Sequence, residues 1–194
     1  MKIELTFTTS LLGTVASDPA VFKEYLAKDP SEVYDLPDVV AGESEQEERP
    51  KLPPTCFYRH EGKPVLRDYQ IKGFFKDAAG MLRRVPDTRS SKEKAYKKAI
   101  DGLVFVEPRY LPLELAGPMT LVSRPLRAQT AKGERIAIAY SEEAPAGTKV
   151  WFHLVLLDTR LRPWIEELLN YGHYRGLGQW RNSGQGSFNW AESS

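Results

Sequence analysis

Four glycines near the C-terminal end restrict the local fold more than any other feature of the chain. Gly176, Gly178, Gly184 and Gly186 are spaced as G-x-G, five residues, and G-x-G. Glycine tolerates positive φ angles and lets other atoms approach the bare backbone, so this spacing predicts a tight loop. The loop follows a helical pattern at 161–171 and precedes a strand pattern at 187–191, which makes it a helix-to-strand crossover.

The remaining hydrophobic periodicity predicts an α+β fold. Helices are predicted from Asp18-Pro19, from an Asp68 cap to Pro86, and at 90–100, and strands at 2–8, 103–106, 109–115, 119–127, 134–140 and 150–157. This order is typical of a ferredoxin-like (RRM-like) antiparallel sheet with helices on one face. Additions to it are a β-hairpin around Glu61-Gly62 and loop insertions. Residues 1–194 are predicted to form a single domain, with a mobile acidic loop at 31–54.

The composition excludes several classes of protein. Cys56 is the only cysteine among 194 residues, so neither an internal disulfide nor a cysteine-based zinc site is possible. The sequence indicates no metal site and no cofactor. It contains no apolar run of the roughly 18–20 residues that a membrane helix needs. Met1 leads directly into a strand pattern with no secretory signal, which favours a cytoplasmic protein.

Charge is unevenly distributed, although the net charge is only +1. Residues 1–50 carry 4 Lys and Arg against 11 Asp and Glu, whereas residues 51–100 carry 13 against 5. The basic quarter includes Lys72, Lys76 and Arg83, which fall mostly off the apolar stripe of the helix after Asp68. It forms either an ordinary solvated face or a surface for a polyanion such as RNA.

The glycine loop carries side chains suited to a phosphate-bearing ligand. Backbone N–H groups in such a loop can cradle phosphates. Arg175 and Arg181 flank the glycines and can pair with phosphate, and Trp180 can stack on a base. A nucleotide-binding loop of the Walker or Rossmann type is excluded, because such a loop follows a strand and opens a helix. The alternative is a crossover in which glycine serves packing alone.

With these residues the chain resembles the RAMP superfamily, the ferredoxin-like RNA-binding proteins of CRISPR effector complexes. Its members carry a C-terminal loop of the form G-h-G-x5-G-h-G, which the four glycines and Leu177 match, whereas Gln185 departs from it. The stretches 71–83 and 144–154 are similar to a helix opening and a strand entry of the backbone-subunit branch. Phe74 and Phe75 stand where that branch has two serines. The chain also resembles proteins encoded by bacteriophages.

The resemblance implies a non-catalytic RNA-binding protein that assembles along RNA or with CRISPR effector-like subunits. Its binding residues would be the four glycines with Lys72, Lys76, Arg83, Arg175, Trp180 and Arg181. A second hypothesis is a phage-encoded module that interferes with host CRISPR-type defence, favoured by the near-neutral charge and the altered serine positions. In either case the protein would act in the cytoplasm, that of the host if phage-encoded.

A third hypothesis is a metal-independent endoribonuclease. RAMP endonucleases often use a histidine as general acid and base. His173 is the candidate here, because a phosphate held on the glycine loop would lie close to it. The alternative role for His173 is that of an ordinary surface or helix-capping residue.

Overall fold

The computed structural model of the protein describes residues 1–16, 54–130 and 133–193. The first strand confirms its predicted alternation, since Ile3, Leu5 and Phe7 are buried while the residues between them are not. The predicted helix after Asp18 lies outside the described residues. So does the predicted acidic loop at 31–54, apart from Pro54.

Twelve strands and four helices occur in the described part of the chain. The strands are β1 Lys2–Phe7, β2 Leu11–Leu12, β3 Val15–Ala16, β4 Thr55–Cys56, β5 Tyr58–His60, β6 Lys63–Arg67, β7 Val104–Glu107, β8 Tyr110–Glu114, β9 Thr120–Thr130, β10 Gly133–Ala144, β11 Lys149–Leu156 and β12 Phe188–Ser193. The helices are α1 Asp68–Leu82, α2 Arg89–Lys92, α3 Tyr96–Leu103 and α4 Arg162–Arg175.

The main sheet is antiparallel and has seven strands, in the order β12-β1-β11-β8-β6-β5, with β7 also paired to β11. The buried residues of β1 and β11 form one hydrophobic cluster with those of α1 and α4. Gly172 of α4 packs against the ring of Phe188 on β12, where an added Cβ would lie 2.1 Å from Cζ. The predicted α+β architecture, an antiparallel sheet with helices, is therefore confirmed.

A second sheet joins β2, β10, β4 and β3, with β9 paired to β10. Sequence patterns did not predict it, because β2, β3 and β4 have two residues each and show no period. Side chains hold it together: the Thr55 and Ser141 hydroxyls lie 2.7 Å apart across the parallel β4–β10 pair. Glu142 accepts the Phe57 N–H at 2.9 Å and pairs with Arg59.

Two predicted helix boundaries are corrected by the structure. Asp68 is the first residue of α1 rather than its cap, and the backbone N–H of Arg67 donates to Gln70 Oε1 at 2.7 Å. The helix predicted at 90–100 is split into α2 and α3. The hydroxyl of Ser90 accepts the indole N–H of buried Trp164 at 2.9 Å, which fixes α2 against α4.

Strand β8 is an internal strand, although a proline such as Pro112 is typical of an edge strand. Residues 113–114 pair with β11, and residues 110–112 pair with β6. Pro112 faces only one partner strand, so its missing N–H is tolerated.

Candidate nucleic-acid interface

The glycine loop closes on itself at its two ends. Gly176 ends α4 with a φ of +68°, and Leu177 N–H donates to the Gly186 carbonyl at 2.9 Å. A Cβ at Gly176 would lie 2.6 Å from Gln185 O, and one at Gly186 only 1.8 Å from Leu177 O. The close approach that these glycines permit is therefore made by the loop's own backbone.

The other two glycines differ from each other. Gly178 packs against β2, since its Cβ would lie 2.7 Å from Leu12 O, whereas a Cβ at Gly184 would meet nothing within 4 Å. The Gly184 carbonyl accepts the Thr9 hydroxyl at 2.8 Å. The N–H groups of Gly176, Gly184 and Gly186 all donate to carbonyls of the chain. A ligand at this loop would therefore be bound mainly by side chains of the loop, because these backbone N–H groups are already engaged.

Two of those side chains meet a carboxylate on α1. Arg175 Nε and Arg181 Nη1 each donate to Asp77 Oδ2 at 2.7 Å, and Arg175 Nη1 donates to Asn182 Oδ1 at 2.9 Å. Burial of Asp77 acts to raise its pKa, but the hydrogen bond from Arg175 and the charge of Arg181 outweigh it and hold the pKa below its ordinary value. We call these three residues the Asp77 clamp. It carries one positive charge in excess, because two guanidinium groups face one carboxylate.

On the other side of the loop, Trp180 lies over an arginine that the sequence did not single out. The backbone of Trp180 adopts the left-handed conformation, with φ +56° and ψ +30°, and the residue is 38% exposed. Its ring centroid lies 5.6 Å from Cζ of Arg124 on β9, whose Nη2 also donates to Gln179 Oε1. Burial lowers the pKa of Arg124 from its usual range. Its place beside the loop depends on the second sheet, so no local pattern could have indicated it.

Lys76 of α1 lines a groove next to the Asp77 clamp, whereas Lys72 and Arg83 are outside its lining. Lys76 Nζ lies 2.6 Å from Asp101 Oδ1, Lys72 Nζ lies 5.0 Å from the ring of Phe105, and Arg83 lies 5.6 Å from the ring of Tyr96. The groove between α1 and α3 has a volume of about 570 Å³. It is lined by Gly73, Lys76, Asp77, Gly80, Met81, Arg84, Tyr96, Lys97 and Asp101. Asp77 belongs to both features, so the structure brings the loop and the groove together.

The two phenylalanines that replace the family's serines are core residues. Phe74 and Phe75 are buried, and the Phe74 ring packs edge-on against Phe188 at 5.1 Å between centroids. These positions present no surface to a ligand in this chain.

His173 is exposed on α4, just before the loop. Its Nδ1 lies 3.2 Å from Asn189 Oδ1 on β12, and its ring packs edge-on against Tyr174. A general base in a ribonuclease is usually oriented by a second polar group, and Asn189 can supply only an amide.

The described ranges contain no cluster of three or more residues able to ligate a metal ion. Within them no helix has the length and apolarity required to span a bilayer.

The fold is shared with a chain of one solved CRISPR complex. No family model and no curated protein matches the sequence. A chain of the type III-B Cmr-beta complex, solved by cryo-EM bound to cognate target RNA, matches with a TM-score of 0.53 and 14% identity, over 98% of this chain and 58% of its own length. A chain of a type IV-B CRISPR complex matches with a TM-score of 0.48 and 13% identity, over 100% of this chain and 90% of its own. The first likeness confirms the fold that the RAMP resemblance implied. This chain spans less than two thirds of that neighbour.

Proposed function

We propose that the chain is a non-catalytic RNA-binding protein of the CRISPR backbone-subunit type, which holds single-stranded RNA along the glycine loop and the α1–α3 groove. The observation that carries the proposal is the continuity of the two features through Asp77, which joins Arg175 and Arg181 to a groove lined by Lys76, Arg84 and Lys97. A strand of RNA needs such a track of cations with an aromatic ring beside it.

The fold comparison supports RNA as the ligand. The type III-B neighbour was solved with target RNA, and its likeness covers nearly the whole of this chain. Arg175, Trp180 and Arg181 would contact RNA at the loop, with Lys72, Lys76 and Arg83 along α1. Of the four glycines, Gly184 leaves the most space for a ligand, whereas the other three shape the loop.

Assembly along RNA in the cytoplasm completes the proposal. Among the described strands, β12 ends the main sheet and pairs with β1 alone, so its other edge can receive a strand from a second copy. Light scattering should show a mass that grows with the length of added RNA, and a constant monomer mass would contradict this part.

A filter-binding titration with a single-stranded RNA of 20 nucleotides tests the proposal. We expect an affinity that falls steeply between about 50 and 200 mM salt, because binding releases counterions from the phosphates. A double variant, Lys76→Gln with Arg181→Gln, should weaken binding by at least about tenfold, since charge-assisted hydrogen bonds are strong. The control Arg160→Gln also removes a charge, from a side chain that is 88% exposed. Wild-type protein without salt-sensitive affinity would overturn the proposal.

A second candidate function is a module, encoded by a phage, that binds CRISPR effector subunits and interferes with them. The pairing of the basic residues favours it: Arg175 and Arg181 are engaged by Asp77, and Lys76 by Asp101. A surface already neutralised in this way suits a protein partner better than a polyanion. A pull-down against purified effector subunits tests it, and the absence of any complex would remove it.

A further inference from the structure

Arg124 lies beneath the glycine loop and is 8% exposed. It belongs to β9, where it pairs in register with Ala139 of β10, and Ser141 lies one pair further along the same face. Its guanidinium therefore reaches the loop from the second sheet, opposite the Asp77 clamp. Among the described residues no carboxylate pairs with it.

The Arg124 guanidinium has hydrogen-bond donors that are not used. Nε and Nη1 are buried and have no hydrogen-bond partner among the described residues, while Nη2 donates to Gln179 Oε1. Buried polar groups are nearly always hydrogen-bonded, and Arg124 is the only side chain of the described residues with two such unpaired atoms. An oxygen of an anionic ligand could accept from either nitrogen atom, and its charge would neutralise that of the guanidinium.

Trp180 is the group that covers this arginine. A bulky residue with positive φ is uncommon, and such strain persists where surrounding contacts hold it. The indole ring centroid lies 5.6 Å from Cζ of Arg124, and Trp180 is 38% exposed. An aromatic face in this position can stack on a base.

We propose that Arg124 is a phosphate-binding residue of the glycine loop, covered by the Trp180 ring in the free chain and exposed to a phosphate oxygen when that ring stacks on a base. The ligand is a phosphodiester strand of RNA, and for that identity the inference rests on the proposed function. The Asp77 clamp then positions the loop, while Arg124 supplies the unpaired cation that the clamp lacks.

The test compares Arg124→Gln and Arg124→Lys with the control Arg160→Gln, using the RNA of 20 nucleotides and, separately, inorganic pyrophosphate. Binding is measured by filter retention for RNA and by tryptophan fluorescence for both ligands, with Trp180→Phe to assign the signal. We expect Arg124→Gln to weaken RNA binding by at least about tenfold and to reduce the salt slope by about one. Arg124→Lys should recover only part of the affinity, because it keeps the charge and loses the planar donors.

Thermal melting of the free variants separates a binding role from a structural one. Arg124→Gln should melt no lower than the wild type, because it removes a buried charge with unsatisfied donors. A clear drop in melting temperature with unchanged RNA affinity would assign Arg124 to structure and overturn the inference.

The outcomes distinguish this inference from the proposed function. Equal RNA affinity in Arg124→Gln and Arg160→Gln, with a wild type that binds, overturns the inference alone. A wild type that binds pyrophosphate through Arg124 but binds no RNA retains the phosphate site and overturns the proposed function. A wild type that binds neither ligand overturns both.

Discussion

The arginines on the two sides of the glycine loop differ in their partners. On the α1 side, Arg175 and Arg181 share the Asp77 carboxylate at 2.7 Å. On the β9 side, Arg124 contacts an aromatic ring and one amide, and two of its nitrogen atoms have no partner in the described part of the chain. Paired charges stabilise a loop, whereas an unpaired buried charge costs stability. The comparison therefore separates cations that also hold the loop, Arg175 and Arg181, from Arg124, whose proposed role is in binding alone.

The largest expected loss of stability follows from a substitution in the backbone of the glycine loop. Gly186→Ala should destabilise the fold by about 4 kcal/mol, because its Cβ would lie 1.8 Å from Leu177 O at a φ of +73°. Gly184→Ala is the matched control, with a φ of +81° and nothing within 4 Å. It should lose about 1–2 kcal/mol from the left-handed backbone alone. Urea unfolding measures both, and equal losses would show that the self-closure of the loop does not matter.

The next effect concerns the paired side of the comparison. Asp77→Asn should cost about 2 kcal/mol, because two partly buried guanidinium groups lose their shared carboxylate. The same change should tighten RNA binding a few-fold and steepen its salt dependence, because both arginines are freed for phosphate. Asp101→Asn is the control at an exposed pair with Lys76, where a loss of about 0.5 kcal/mol or less is expected. Unchanged stability in Asp77→Asn would contradict a structural role for the clamp.

These features differ in how far the sequence could predict them. The strand β1, the helix α4 and the crossover loop follow from local periodicity and glycine spacing. Asp77 was not predicted as a partner of the loop, because 98 residues separate it from Arg175 and no local pattern spans that distance. Arg124 was missed for the same physical reason, since 55 residues separate it from Gln179 of the loop. The buried state of Phe74 and Phe75 follows from the helical spacing of the apolar stripe of α1.

Acid pH should reduce the stabilising contribution of the Asp77 clamp before it affects the contacts of Arg124. Asp77 has a folded pKa below the ordinary value of 3.8, so near that pH the unfolded chain binds more protons than the folded one. Its stabilising contribution is therefore complete above about pH 5 and declines as the pH falls through 3.8 towards the folded value. Between pH 6 and 3, wild-type protein should lose more stability than Asp77→Asn in urea unfolding. Parallel pH profiles for the two proteins would show that the clamp is not the cause.

The smallest effect is expected at His173, which touches neither side of the comparison. It is exposed and contacts Asn189 at 3.2 Å, so His173→Ala should cost about 0.5 kcal/mol or less. RNA affinity should change by less than about twofold, because Arg124 and the α1 groove remain intact. Incubation of labelled RNA with each protein, resolved on a denaturing gel, tests the alternative of an endoribonuclease. If the wild type cleaves RNA and His173→Ala does not, the loop is a catalytic site and His173, not the arginines, is its essential residue.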